Sequence, residues 1–186
     1  MIPTEEQAKM LWEKYQLPDK KRRHVELVAR AALLLAQQID KVTKRQINKE
    51  LLLAGALLHD IDKNAPKHPG ERHPDAAVRI LNEEGMEEVA SLVKTHPVHA
   101  ILDPAIAPRT IEQKLVFLAD KMVKQDVIGV DGRFAQWKEE RLPPRDIAII
   151  ARAYPRVKEL EREIADLAGI KPREIVALLM ALVPVS

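Results

Sequence analysis

Residues 51–60 read LLLAGALLHD, an apolar run that delivers His59 and Asp60 at its end. It has the character of a buried helix that Asn48 caps, in which Gly55 weakens the helix but permits close backbone packing. Successive helical side chains point about 100° apart, so His59 and Asp60 reach one cation only if it lies near the helix end. The partial negative charge of a helix C-terminus favours a cation there. Taken alone, the pair is better read as an ordinary C-terminal cap followed by a solvated loop.

Helical punctuation continues on both sides of this run. Thr4 and Gln7 fit a capping box for a first helix reaching Gln16, and Pro18–Asp19 restarts the chain before HVELVARAALLLAQQI. KNAPKHPGERHP, from Lys63, is dense in Pro and Gly and reads as a loop. Pro74 then starts a helix that ends before Gly85, and MEEVASLVKTH makes another, stopped by Pro97. Thr110 and Gln113 suit a second capping box for TIEQKLVFLADKMVKQDVI, closed by Gly129. The tail adds a segment bearing Trp137, a helix after Pro143–Pro144, then VKELEREIADLAG and PREIVALLMALV. IVALLMALV reads as core, with a homodimer contact as the alternative. No strand or repeat emerges, so the expected fold is all-α, an irregular bundle of roughly eight to ten helices.

Composition agrees. Hydrophobic residues make up 46% of the 186 but aromatics only 3%, which leaves aliphatic side chains to fill a helical core. Thirty basic residues face 28 acidic ones, and a net charge of +2 argues against nucleic acid as a partner. Absence of cysteine excludes disulfides, thiolate metal sites and cysteine nucleophiles. MIPTEEQAKM is not a signal peptide, and Ile175–Val185, interrupted by Pro184, is too short to span a bilayer. No membrane partner and a cytoplasmic location are therefore expected.

Any metal site must be built from His, Asp and Glu. Of the six histidines, His24 opens a helix, His59 closes one, His73 starts one and His96 ends one, while His68 reads as a bystander. LVFLAD sets Asp120 mid-helix directly after five apolar residues. A buried carboxylate needs a cation or strong hydrogen bonds, so Asp120 is a metal ligand or half of a buried salt bridge. Lys63 stands three residues after His59–Asp60's second member, placed to touch a phosphate or simply to lie on the surface. His99 is a candidate substrate contact, and Lys20–Arg23 either raises the local potential or forms a solvated helix start.

Together, His24 in KRRHVELVARAALLLA, His59–Asp60 in LLLAGALLHDIDK and Asp120 in LVFLADKM resemble the H…HD…D signature of the HD superfamily of metal-dependent phosphohydrolases. The resemblance covers about residues 20–130. It implies an HD-type helical domain over 1–130 with its N-terminal helix, and a C-terminal helical extension over 131–186 packed on it. It further implies that His24, His59, Asp60 and Asp120 hold one divalent ion. His73 in ERHPDAA and His96 in VKTHP would hold a second, bridged by Asp60; otherwise they are a helix N-cap and a helix terminus. Fe, Mn, Ni, Co, Zn and Mg all suit such donors. Within the superfamily, HPDAA, His96 and Ala119-Asp120-Lys121 are most similar to the bacterial symmetrical diadenosine tetraphosphate hydrolases. Asp62, Pro97 and Met122–Val123 depart from that branch's usual Gly, Thr and acidic residues. The implied activity is metal-dependent hydrolysis of a phosphate ester or phosphoanhydride in a nucleotide or related small phosphorylated metabolite. Asp60 and Lys63 would be catalytic, and Lys63 and His99 would bind substrate. The rival is a non-catalytic metal- or nucleotide-binding regulatory module.

Overall fold

A computed structural model of the chain describes residues 1–181, and among them the expected all-α architecture is found. Nine α-helices are described: α1 (Glu5–Lys14), α2 (Asp19–Thr43), α3 (Lys49–Leu58), α4 (Asp75–Glu83), α5 (Glu87–Val93), α6 (Ile111–Met122), α7 (Gly129–Glu139), α8 (Pro144–Ala168) and α9 (Pro172–Met180). Short 3-10 turns occupy Ile61–Lys63 and Val98–Leu102. The described residues contain no strand, only one antiparallel bridge between Val123 and Val127.

Local chemistry accounts for most helix starts. Thr4 with Gln7 and Thr110 with Gln113 both form reciprocal capping boxes, and the Asn48 side chain accepts from the Leu51 N–H. α2 runs through the middle of the bundle, packing against α3, α6 and α8. It sinks Val25, Val28, Ala32, Leu35 and Ile39 into the core, the i, i+3, i+4 stripe of a helix that meets neighbours on one side. Trp12 locks α1 onto α3 by donating its indole N–H to the Leu57 carbonyl at 2.9 Å. At Gly55 a Cβ would lie 2.5 Å from the Leu92 Cδ2, so the glycine is what lets α3 and α5 approach.

Several expected boundaries move. His24 does not open its helix: α2 begins at Asp19, so Lys20–Arg23 are already helical and His24 sits in the second turn, facing inward. α5 ends at Val93, three residues before His96, which stands in the turn that follows. α6 stops at Met122 rather than running to Gly129, so Asp120 lies in its last turn and not mid-helix. Gly129, at φ 71°, begins α7 instead of closing α6. The two helices expected between Pro144 and Gly169 are one, because α8 continues through Pro155. The last two residues of PREIVALLMALV, Leu182 and Val183, lie outside the described residues.

The consequence for function is convergence. The second turn of α2, the C-terminal ends of α3 and α6, the turn before α4 and the turn after α5 all bring a polar residue to one face of the bundle. No described helix is long and apolar enough to cross a membrane.

Candidate metal centre

Four histidines share one arrangement there. The Nδ1 of His24 faces the Lys124 carbonyl at 2.8 Å, that of His59 the Ala56 carbonyl at 2.8 Å, and that of His96 the Val93 carbonyl at 2.6 Å. The His73 Nδ1 faces Asp62 Oδ1 at 2.8 Å. Carbonyls and carboxylates only accept, so each Nδ1 carries a proton, and Nε2 is the nitrogen left to offer a lone pair to a metal. His59 reaches back three residues to the Ala56 carbonyl near the end of α3, and His96 to the Val93 carbonyl that ends α5, so tying down the helix end and presenting Nε2 are the same act.

The Nε2 atoms then meet. His59 is fully buried, and its Nε2 has no hydrogen-bond partner. The Nε2 atoms of His73 and His96 stand 2.8 Å apart, and with both Nδ1 atoms already donating, two neutral rings would set their lone pairs against each other. His24 Nε2 lies 3.0 Å and His59 Nε2 3.5 Å from Asp120 Oδ1. Donor atoms of His24, His59 and Asp60 fall within 4.8 Å of one another, and so do those of Asp60, His73 and His96, with Asp60 common to both groups. Orphaned, buried or opposed lone pairs of this kind are unfavourable among themselves and favourable around a cation. A donor set of imidazole nitrogen and carboxylate oxygen without thiolate suits a divalent first-row metal.

Charge is balanced by lysines. Asp60 receives Lys21 Nζ at 2.7 Å on one oxygen and lies 3.2 Å from Lys63 Nζ on the other. Burial works against its ionisation, yet His59, Lys63 and Lys21 outweigh it and hold Asp60 well below the usual carboxylate range. Asp120 is likewise held low against its burial, by Lys121 and then by His24 and His59. Lys121 is itself buried and also donates to the His96 carbonyl at 2.7 Å, so one cation ties α6 to the turn behind α5. Burial lowers its pKa despite Asp120. Burial, then the neighbouring His59 and His73, pushes His96 well down, keeping it neutral. For His59 burial opposes protonation, but Asp60 and Asp120 prevail and raise it.

His24, Asp60, His73, His96 and Asp120 line a cavity of about 480 Å³, and His59 lies buried outside its lining. Lys63 and His99 are on its wall as the sequence suggested, and burial lowers the His99 pKa, helped by His73 and Lys121. Lys21, from the basic run, also reaches it. His68 is elsewhere, exposed on the loop beside Glu71. Asp62, Lys121, Lys124, Arg133 and Trp137 are among the contributors that sequence reasoning did not assign to the site. Asp62 carried one signal, as a departure from the resembled pattern; for Arg133 and Trp137 there was none, since only packing folds α7 over the cleft.

A family model described as HD domain matches residues 22–124, more than half of the chain. Among curated proteins, the tRNA (cytidine(56)-2'-O)-methyltransferase of Picrophilus torridus is 28% identical over 180 residues. That alignment takes in 90% of this chain but 48% of the relative, so the chain spans about half the length of the relative it matches. No solved structure matches.

Proposed function

We propose, from the premise that this chain belongs to the HD domain family, that it is a metal-dependent phosphohydrolase acting on a phosphate ester or phosphoanhydride of a small phosphorylated metabolite such as a nucleotide. One observation carries the reading: four imidazoles, each with Nδ1 committed to an oxygen of the fold, turn Nε2 towards the carboxylates of Asp60 and Asp120. His24, His59, Asp60 and Asp120 would hold one ion, and Asp60, His73 and His96 would hold a second. Divalent ions held there would lower the pKa of water and neutralise charge developing on phosphoryl oxygens.

The chain's own residues supply the rest. Asp60 is kept ionised by His59, Lys63 and Lys21 in spite of its burial, as a carboxylate that would hold a metal must be. Lys63, about a quarter exposed, can turn from Asp60 towards a non-bridging phosphate oxygen. His99, held neutral on the rim, offers a hydrogen bond without adding charge. The walls formed by Pro97 and Val98 limit water on that side.

The finer likeness to symmetrical diadenosine tetraphosphate hydrolases rests on HPDAA, His96 and Ala119-Asp120-Lys121 alone, and the matched curated protein bears a different name. That name favours one rival. A relative named as a tRNA methyltransferase, of which this chain matches about half, suits a module that binds metal or nucleotide to regulate and does not itself hydrolyse.

The deciding experiment measures metal content in gently purified protein together with phosphate release from mono-, di- and dinucleoside polyphosphates. Bound metal with release that His59→Ala abolishes supports the hydrolase. Tight nucleotide binding with no product under Mn, Fe(II), Co or Ni selects the regulatory module.

A further inference from the structure

α7 lies outside the residues matched by the family model, yet it closes one wall of the cleft with Arg133 and Trp137. Trp137 is fixed from behind by Phe134, ring to ring at 4.9 Å and nearly perpendicular, and Phe134 is buried. On the Trp137 ring lies the guanidinium of Arg133, 4.5 Å from the ring centroid. The stack orients the guanidinium plane but satisfies none of its N–H groups. Nε and Nη1 of Arg133 are out of solvent and have no hydrogen-bond partner.

The other cations of the cleft are occupied. Lys21 and Lys63 are tied to Asp60, Lys121 to Asp120, and Lys124 to Glu140 at 3.3 Å. Among the described residues lining the cleft, only Arg133 and Lys20 have no carboxylate partner. Arg133 is near enough to Lys121 to oppose its charge, so it stands beside the Asp120 side of the donor cluster. Nε and Nη1 each share an edge of the guanidinium with Nη2, and either edge matches a planar or tetrahedral oxyanion that accepts two bonds at once. Lys20, exposed in the first turn of α2, adds a point charge at the mouth of the cleft.

We propose that Arg133, oriented by Trp137, and Lys20 form a second phosphate subsite, which takes the phosphate next to the one at the His/Asp cluster. The substrate class is then a compound carrying two or more linked phosphates, not a lone monoester. The proposal rests on the phosphohydrolase reading for what happens at the cluster, but the subsite itself is a matter of binding.

Calorimetric titration of the purified full chain with imidodiphosphate, and separately with inorganic phosphate, tests it. Arg133→Gln and Lys20→Ala are compared with the unaltered protein; the exposed Lys20 position folds without difficulty. The expected result is that each variant weakens imidodiphosphate about tenfold more than it weakens phosphate. Equal losses for the two probes would place Arg133 at the reacting phosphate and overturn the second subsite. No loss in either variant, or no imidodiphosphate binding by the unaltered protein, would overturn it as well. Because neither probe is turned over, a chain that binds imidodiphosphate as expected but hydrolyses nothing would sink the hydrolase reading and leave the subsite standing.

Discussion

Each site histidine commits its Nδ1 proton to an oxygen of the fold, and for His73 that oxygen belongs to a side chain, Asp62. A backbone carbonyl cannot be removed by substitution, so Asp62 is the place where this anchoring is testable. Asp62→Ala frees the His73 ring to rotate, and affinity for the ion shared by Asp60, His73 and His96 should fall about 10–100-fold. Asn, which keeps an accepting oxygen, should lose less. A competition titration with a chromophoric chelator reads both, and unchanged affinity in Asp62→Ala would show that packing alone orients the ring. Thermal stability should change little, since the substitution also removes Asp62 Oδ2, a buried oxygen without a partner. At this scale the sequence was legible in its donors: His24, His59, Asp60, His73, His96 and Asp120 do converge. Their anchors were less so. The carbonyls of Ala56 and Val93 follow from helix ends, but the Lys124 carbonyl comes from a hundred residues beyond His24, and no local pattern marks it.

Helices hold those donors in register, and α3 against α5 is the tightest contact that bears on the site. Gly55→Ala gains up to about 1 kcal/mol in helix propensity. Against that, its Cβ would meet Cδ2, Cδ1 and Cγ of Leu92 at 2.5, 2.9 and 3.1 Å, and Leu92 is itself buried. Leu92 is packed on all sides, so turning it away about χ1 drives it into other neighbours and leaving it in place shifts α5, either at a cost of about 1–3 kcal/mol. The net expectation is a lower melting temperature with weaker metal binding, because His96 follows α5 directly. A more stable variant with unchanged affinity would mean that Leu92 has room to move. The loop before α4 depends instead on charge. Arg79 binds Glu71 through two nitrogens and also reaches the Pro66 carbonyl, and this bonding lowers Glu71 to about 2. A depressed carboxyl contributes stability that is complete above its unfolded pKa, about 4.5, and is lost as pH falls towards about 2. Amide exchange or proteolysis across residues 64–73 should therefore accelerate below about pH 4.5, and Glu71→Gln should show fast exchange at neutral pH already. Elements were readable where a cap or loop was written locally, as at Thr4, Asn48 and Thr110. They were misread where tertiary packing overrides a local signal. Pro155 is tolerated within α8, and α6 ends at Met122 with no breaker, where the chain turns to pair Val123 with Val127.

Taken as a whole, the molecule has two devices joining the same helices. The aliphatic core buries one side of α2, α3, α5 and α6, and the donor cluster joins their polar ends. The cluster does not rely on ions alone for its neutrality. Lys21, Lys63 and Lys121 already pair with Asp60 and Asp120, and Lys121 spans from α6 to the His96 carbonyl. The carboxylates would otherwise repel, so these pairs are what should let the fold survive removal of metal. What removal of metal would expose is the imidazole side: the His59 Nε2 and the facing His73 and His96 Nε2 atoms would each be left without a cation. An ion present at about 100 times its dissociation constant stabilises by about 2.7 kcal/mol, and a chain of this size shifts by about 2–4 °C per kcal/mol. Dialysis against a chelator should therefore lower the melting temperature by about 5–10 °C while helical circular dichroism at room temperature is retained. Readdition of a divalent ion should restore the melting temperature, and it should not do so in His59→Ala. Collapse of helicity on chelation would show that the lysine pairs are too weak to hold the polar ends together, making the ion part of the fold. An unchanged melting temperature, with metal analysis confirming that ions were present and then removed, would show that the four lone pairs bear little strain and that the core alone sets stability.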